Sequence, residues 1–353
     1  TYGAPGDWYY NEVQFENIDL LSVIVFALFN GTVQSFTLGV FFMISGYFTA
    51  ASCDRKGTGK FLKDRLLRFG IPILFYILFI DSFIEYALSV FVWGKEASLL
   101  KFIVVRINTI TSQDVGPLWF IVTLLFFSVF YVLWRFTAQS FNIRHRFEWN
   151  VPGNAVIALF AFIVGIMSFT VRIWLPVFWS FKYFGLQFPH FSQYSCFFIA
   201  GIWAYRGNWF EKVTNRSGTL WLITTLSLFL IFPVVMFLSG APEGDMSIFG
   251  GLNWQSFVYS VWEQFMCAGM GVGLTVLFRK KFNYTGRIVG ALSASTYTVY
   301  IIHAPVLVFL CLTLKNISMY PLLKFILVAP LAVVLCFTLA NIIRKLPLAR
   351  KIL

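Results

Sequence analysis

Nine runs of apolar residues, most of them long enough to cross a bilayer, follow one another along this chain with little polar sequence between them. A membrane-spanning helix needs roughly 20 such residues. By that measure the runs fall at 33–53, 71–93, 117–136, 154–174, 191–205, 219–239, 255–278, 288–314 and 322–343, the fifth being short. A backbone in hydrocarbon has to satisfy its own N–H and C=O groups, so runs of this kind fold as helices. The expected fold is an all-α integral membrane bundle of about nine transmembrane helices, a single domain over residues 1–353. Composition agrees, because 59% of the residues are hydrophobic and only 12% are charged, against about 25% charged in soluble domains.

The formal net charge of +12 reports topology and not nucleic-acid binding. No polar stretch is long enough to gather the basic residues on a water-facing domain. Most of the 27 Lys and Arg fall in alternate connections, such as 55–68 and 279–287, and in the segment after residue 343. Basic residues are retained on the cytoplasmic side. A multi-pass protein of the plasma (inner) membrane is therefore expected, with its N-terminus outside and its C-terminus in the cytoplasm. The lipid bilayer is its first partner. Cys53, Cys196, Cys267, Cys311 and Cys336 lie in or beside apolar runs without ligand spacing, and read as buried small hydrophobes. No metal site is expected, and no HExxH, Walker-type loop or serine nucleophile elbow occurs.

Four passages carry chemistry by their order. The first run contains GVFFMISGYFTAAS, residues 39–52, and leads into RKGTGKFLKDRLLRFGIP, residues 55–72. PLWFI opens the third run at residues 117–121, and SASTYTVYIIHAPV occupies 293–306. Together these resemble the family-3 acyltransferases: FF-x-I-S-G-Y, a cytoplasmic R-x-x-R with G-I-P, Leu-Trp-Phe, and Ser-x-x-Tyr-x-x-Tyr-x-x-His-x-Pro. YGAPGDWYY, residues 2–10, is similar to the outer loop that follows the first span in one branch. The resemblance implies ten spans, one of them ahead of Thr1, and places the principal catalytic His on that first span. None of His145, His190 or His303 matches it, so residues 1–353 by themselves are expected to hold the scaffold and the donor site but to be inactive without that first span.

The resemblance also implies a function. A membrane-embedded O-acyltransferase would move an acyl group, acetyl or succinyl, from cytosolic acyl-CoA, as acetyl-CoA or its succinyl counterpart, to a hydroxyl of an extracytoplasmic carbohydrate. The succinyl alternative comes from a branch that decorates periplasmic glucans. A hydroxyl is a poor nucleophile at neutral pH, so the transfer needs a base or an acyl-carrying side chain. Arg65 and Arg68, three residues apart on one helical face, suit the phosphates of acyl-CoA, with Lys60 and Lys63 as weaker helpers. Anchoring at anionic headgroups is the alternative use of the same residues. A transporter or exporter, or a non-catalytic partner in polysaccharide export, would share the membrane architecture without the chemistry.

Polar residues inside apolar runs draw the remaining expectations. Glu263 reads as a partner of a buried cation or a wall of the acceptor path, or else as a hydrogen-bonded structural acid. Tyr297, Tyr300 and His303 share a helical stripe, and His303 serves either packing or the reaction path, with Tyr300 beside it. Ser45, Gly46, Tyr47 and Trp119 are candidate cavity-lining residues, although Ser45 and Gly46 also suit close helix packing. Arg172 either faces the acceptor or snorkels to the interface. Asp81 and Glu85 are expected near the outer interface, and His145 and His190 in solvent.

Overall fold

A computed structural model of the chain describes residue 9 and residues 18–96, 98–109, 115–140, 150–240, 244–284 and 286–352. His145 and most of the 2–10 passage lie outside the described residues. The principal helices are α1 (Leu20–Lys56), α2 (Thr58–Phe91), α3 (Leu99–Asn108), α4 (Trp119–Ser140) and α5 (Asn154–Arg172). They continue as α6 (Phe191–Gly207), α7 (Asn215–Leu238), α8 (Trp254–Lys281), α9 (Arg287–Thr313) and α10 (Pro321–Ile343). Among the described residues there is no β-sheet, only an isolated bridge between Phe181 and Leu186.

Eight of these helices are long and apolar enough to cross a membrane. The expected ninth span, 191–205, is the helix α6, but it has 17 residues. At about 1.5 Å per residue it is a few ångströms short of a hydrocarbon core roughly 30 Å thick. Among the described residues eight helices thus qualify as full spans, with α6 packed among them. The first span differs too, because α1 begins at Leu20 instead of residue 33 and runs for 37 residues. Asn30, Gly31 and Thr32 look like a break in sequence. In the helix Gly31 packs close to the Phe232 ring, and the hydroxyls of Ser35 and Thr37 bond back to the carbonyls of Thr32 and Val33. The interruption is absorbed without ending the helix.

Local chemistry sets several helix starts. Asp19 caps α1 by accepting from the Ser22 amide at 2.9 Å, and Asn253 caps α8 by accepting from the Ser256 amide at 2.7 Å. α2 carries two π-helical turns, Leu66–Gly70 and Tyr76–Asp81, on either side of Pro72. Pro72 has no N–H to offer the Arg68 carbonyl four residues back. The Tyr297 hydroxyl, from α9, donates to that carbonyl at 2.7 Å, so the irregular turn of α2 is held by a side chain of the 293–306 passage.

α8 is the central strut, packed against α1, α5 and α7, while α1 makes its largest contact with α6. Small residues allow that contact. A methyl group at Gly46 would overlap the Phe198 carbonyl, and one at Gly201 would overlap the Met43 carbonyl, so the two backbones touch where no Cβ intervenes. Gly201→Ala is expected to lose about 1–3 kcal/mol of stability by forcing the helices apart. Thermal unfolding in detergent measures this, and an unchanged Tm contradicts the close approach.

The two ends of the bundle differ in charge. At one end, here the basic end, Arg135 and Arg206 share Asp54, Lys56 pairs with Asp64, and Arg279 donates to the carbonyls of Phe210, Glu211 and Val213. At the far end the Tyr320 hydroxyl donates to Asp19 at 2.9 Å, and the Lys315 ammonium donates to the Phe91 carbonyl at 2.7 Å.

Candidate functional site

Arg65 and Arg68 stand at the basic end on the first π-helical turn of α2 and the residue before it. The Arg65 guanidinium is half-buried between two rings, 5.2 Å from the centre of Phe61 and 5.0 Å from that of Phe69. Its polar contact is the Thr49 hydroxyl at 3.4 Å. Arg68 is exposed and lies over the Tyr297 ring at 5.4 Å. Among the described residues neither has a carboxylate within ion-pair distance, although other cations of this end do. Lys60 and Lys63 are exposed on the same helix. Two guanidiniums are thus oriented by aromatic faces, without an acidic partner among the described residues.

From this end a column of rings crosses the bundle. Phe69 lies 6.1 Å from Tyr297, and one helical turn on, Tyr300 meets Phe120 at 6.0 Å. Phe120 contacts Phe42 at 4.7 Å, Phe42 stacks on Tyr194 at 4.6 Å, and Tyr194 stacks on both Trp119 and His190 at 5.8 Å. The Tyr300 hydroxyl donates to the Pro117 carbonyl, which fixes the start of α4 where Trp119 projects. His303 is half-buried, with Nδ1 2.6 Å from the Tyr300 carbonyl of its own helix.

At the other end of the column is a buried polar cluster. Arg172, the last residue of α5, is fully buried. Its Nη2 donates to Glu263 Oε2 at 2.7 Å, and Nη1 donates to the Ser260 hydroxyl at 3.2 Å. Glu263 Oε2 also accepts from Gln264 Nε2 at 3.0 Å. His190 closes the cluster, its Nδ1 being 3.1 Å from Arg172 Nη2 and 3.4 Å from Glu263 Oε1. An ion pair so deep is stable only when both partners are present and hydrogen-bonded; α5 supplies Arg172, α8 supplies Ser260, Glu263 and Gln264, and His190 stands just ahead of α6.

Several expected residues thus come together and others do not. Glu263 partners a buried cation, and that cation is Arg172, which neither snorkels nor reaches the surface. His190, expected in solvent, has a side chain only 12% exposed. It was concealed by its setting, since Pro189 and the aromatic loop before it read as surface sequence. Asp81 is buried as well, paired with Arg106 of α3 and accepting from the Tyr9 hydroxyl at 2.6 Å. Asp81 is thus a hydrogen-bonded structural acid, while Glu85, also paired with Arg106, is half-buried. Trp119 joins the ring column, but Gly46 faces the α6 backbone and Tyr47 stacks on Phe210 at 4.7 Å, in the turn after α6. Ser45 is half-buried beside them. Among the described residues no group of His, Cys, Asp and Glu could hold a metal ion, and all five cysteines are free thiols.

The chain is similar to glucans biosynthesis protein C of Escherichia coli. With that of strain 536 it shares 31% identity over 124 residues, 35% of this chain and 32% of the relative. With that of strain ED1a it shares 24% over 289 residues, 80% of this chain and 72% of the relative. The matched stretch thus spans about a third of the first relative's length and nearly three quarters of the second's. No solved structure matches the chain. Residues 6–341, which take in nearly the whole bundle with both guanidiniums and the buried cluster, match the acyltransferase domain of family 3, and the chain belongs to that family.

Proposed function

We propose that this chain moves an acyl group from acyl-CoA, bound at its basic end, to a hydroxyl of a carbohydrate that approaches from the far end. The observation that carries this reading is the pair Arg65 and Arg68, guanidiniums held on aromatic faces without a carboxylate partner in a chain of the acyltransferase family. They take the donor's phosphates, with Lys60 and Lys63 adding charge outside. The positive-inside tendency puts this end in the cytoplasm, where acyl-CoA is found. The thioester arm then follows the ring column toward Trp119 and Tyr194. There the acceptor oxygen bonds to the acyl carbon, the C–S bond breaks, and the hydroxyl proton passes to a base. Tyr300 and His303 flank this path, Tyr300 fixing the start of α4. Glu263, already engaged by Arg172 and Gln264, acts as counter-ion.

The carbohydrate is a glucan by analogy with the named relatives, and the acyl group is acetyl or succinyl. Purified full-length protein given labelled acetyl-CoA or succinyl-CoA and a glucan oligosaccharide should yield a labelled, mass-shifted oligosaccharide. Release of free CoA with the label going only to water would contradict the acceptor assignment. No turnover of either donor would contradict the acyl-transfer reading itself.

A further inference from the structure

His190 lies where the buried cluster meets the far-end surface, and its ring has little freedom. Tyr194 stacks against it at 5.8 Å with the planes 18° apart. Nδ1 is turned inward, 3.1 Å from Arg172 Nη2, with hydrogen-bond geometry. An arginine N–H can only donate, so Nδ1 is the acceptor in that contact. A neutral imidazole carries one N–H, which is then on Nε2. Glu263 Oε1, at 3.4 Å from Nδ1, is the longer contact, and the carboxylate already accepts two N–H donors through Oε2.

We infer that His190 presents Nε2–H as a hydrogen-bond donor to an oxygen of the carbohydrate acceptor, and that Arg172 and Glu263 hold the ring in that tautomer. The inference rests on the reading of the far end as the acceptor side. A carbohydrate oxygen is a neutral acceptor, suited to an imidazole N–H. The residues leading to His190 add a second element that suits a sugar. Trp179 and Phe188 stack at 5.9 Å, and Phe188 meets Phe181 at 5.2 Å, with Trp179 37% exposed. Flat apolar faces beside a few fixed polar groups are the usual makeup of a small-molecule site. In this arrangement the buried ion pair does not touch substrate, and Arg172 and Glu263 are positioning residues for His190.

The chain has only three histidines, so nitrogen NMR of histidine-labelled full-length chain in detergent reads the tautomer, with His190→Gln identifying the signal. The expected result is a protonated Nε2 and a bare Nδ1, with the Nε2 resonance moving when glucan oligosaccharide is added. A protonated Nδ1 with bare Nε2 would overturn the inference, making His190 a base held by Glu263. An Nε2 signal unmoved by saturating oligosaccharide would overturn it as well. In the transfer assay His190→Ala should raise the acceptor KM by about tenfold or more, with donor affinity unchanged. His190→Gln, whose side-chain amide also offers an N–H, should restore most of that loss. A Gln variant as impaired as the Ala variant would overturn the donor role. Wild-type protein that turns over no acyl-CoA would instead remove the acyl-transfer reading, while the NMR titration still decides the His190 assignment.

Discussion

Glu263→Ala is expected to lower stability by about 3–5 kcal/mol, the usual consequence of leaving one member of a buried ion pair without its partner. Arg172 is fully buried, and its Nε atom has no hydrogen bond at all among the described residues. Removing Glu263 would leave its positive charge facing the Ser260 hydroxyl, His190 and the Tyr259 ring, none of them a counter-charge. Arg172→Ala strands the opposite charge and should be comparably damaging. The double variant Arg172→Leu with Glu263→Leu removes both charges and should recover much of the loss, because the pair's own net contribution is small beside the penalty of breaking it. Thermal unfolding of the three variants in one detergent measures this. A Glu263→Ala protein with an unaltered Tm would show that the pair is not buried as described.

The second large effect concerns the donor. Arg65→Ala should weaken acyl-CoA binding by one to two orders of magnitude, since hydrogen bonds to a charged group contribute about 1.5–3 kcal/mol each. Arg65 is half-buried between Phe61 and Phe69, so its guanidinium plane is fixed before the ligand arrives. Arg65→Lys keeps the charge but not the planar fork, and should recover only part of the affinity. Arg68 is more exposed and should show a smaller loss, and Lys60 and Lys63 smaller still. Titration of labelled acyl-CoA against each variant gives the ranking. Equal losses at all four positions would instead indicate diffuse attraction between a basic surface and an anion.

Much of the fold was legible because apolar length is a coarse signal, and six of the eight qualifying helices overlap the expected runs closely. The exceptions were α2, which starts at Thr58 in the basic segment ahead of its run, and α1, whose first thirteen residues were hidden by Asn30, Gly31 and Thr32, side chains a helix tolerates when neighbouring packing accepts them. The proposed donor pair was open to a sequence reading for a similar reason, since Arg65 and Arg68 are local in sequence and share one turn. The far-end cluster was not, because Arg172 and Glu263 are 91 residues apart and nothing in either run names the other. One signal was available: each was an isolated charge in an apolar run, of opposite sign, and both lay toward the same end of the bundle. Burial makes such charges seek each other. His190 gave no comparable sign, as its partners are known only once α5, α6 and α8 are packed together.

The account's central claim is that the acyl group enters at one end of the bundle and leaves at the other. Proteoliposomes test it, with protein inserted in one direction, labelled acyl-CoA supplied only at the Arg65 end and glucan oligosaccharide enclosed only at the His190 end. The account predicts labelled oligosaccharide on the His190 side, formed by wild type and strongly reduced in Arg65→Ala. Label appearing only when donor and acceptor share one compartment would contradict it.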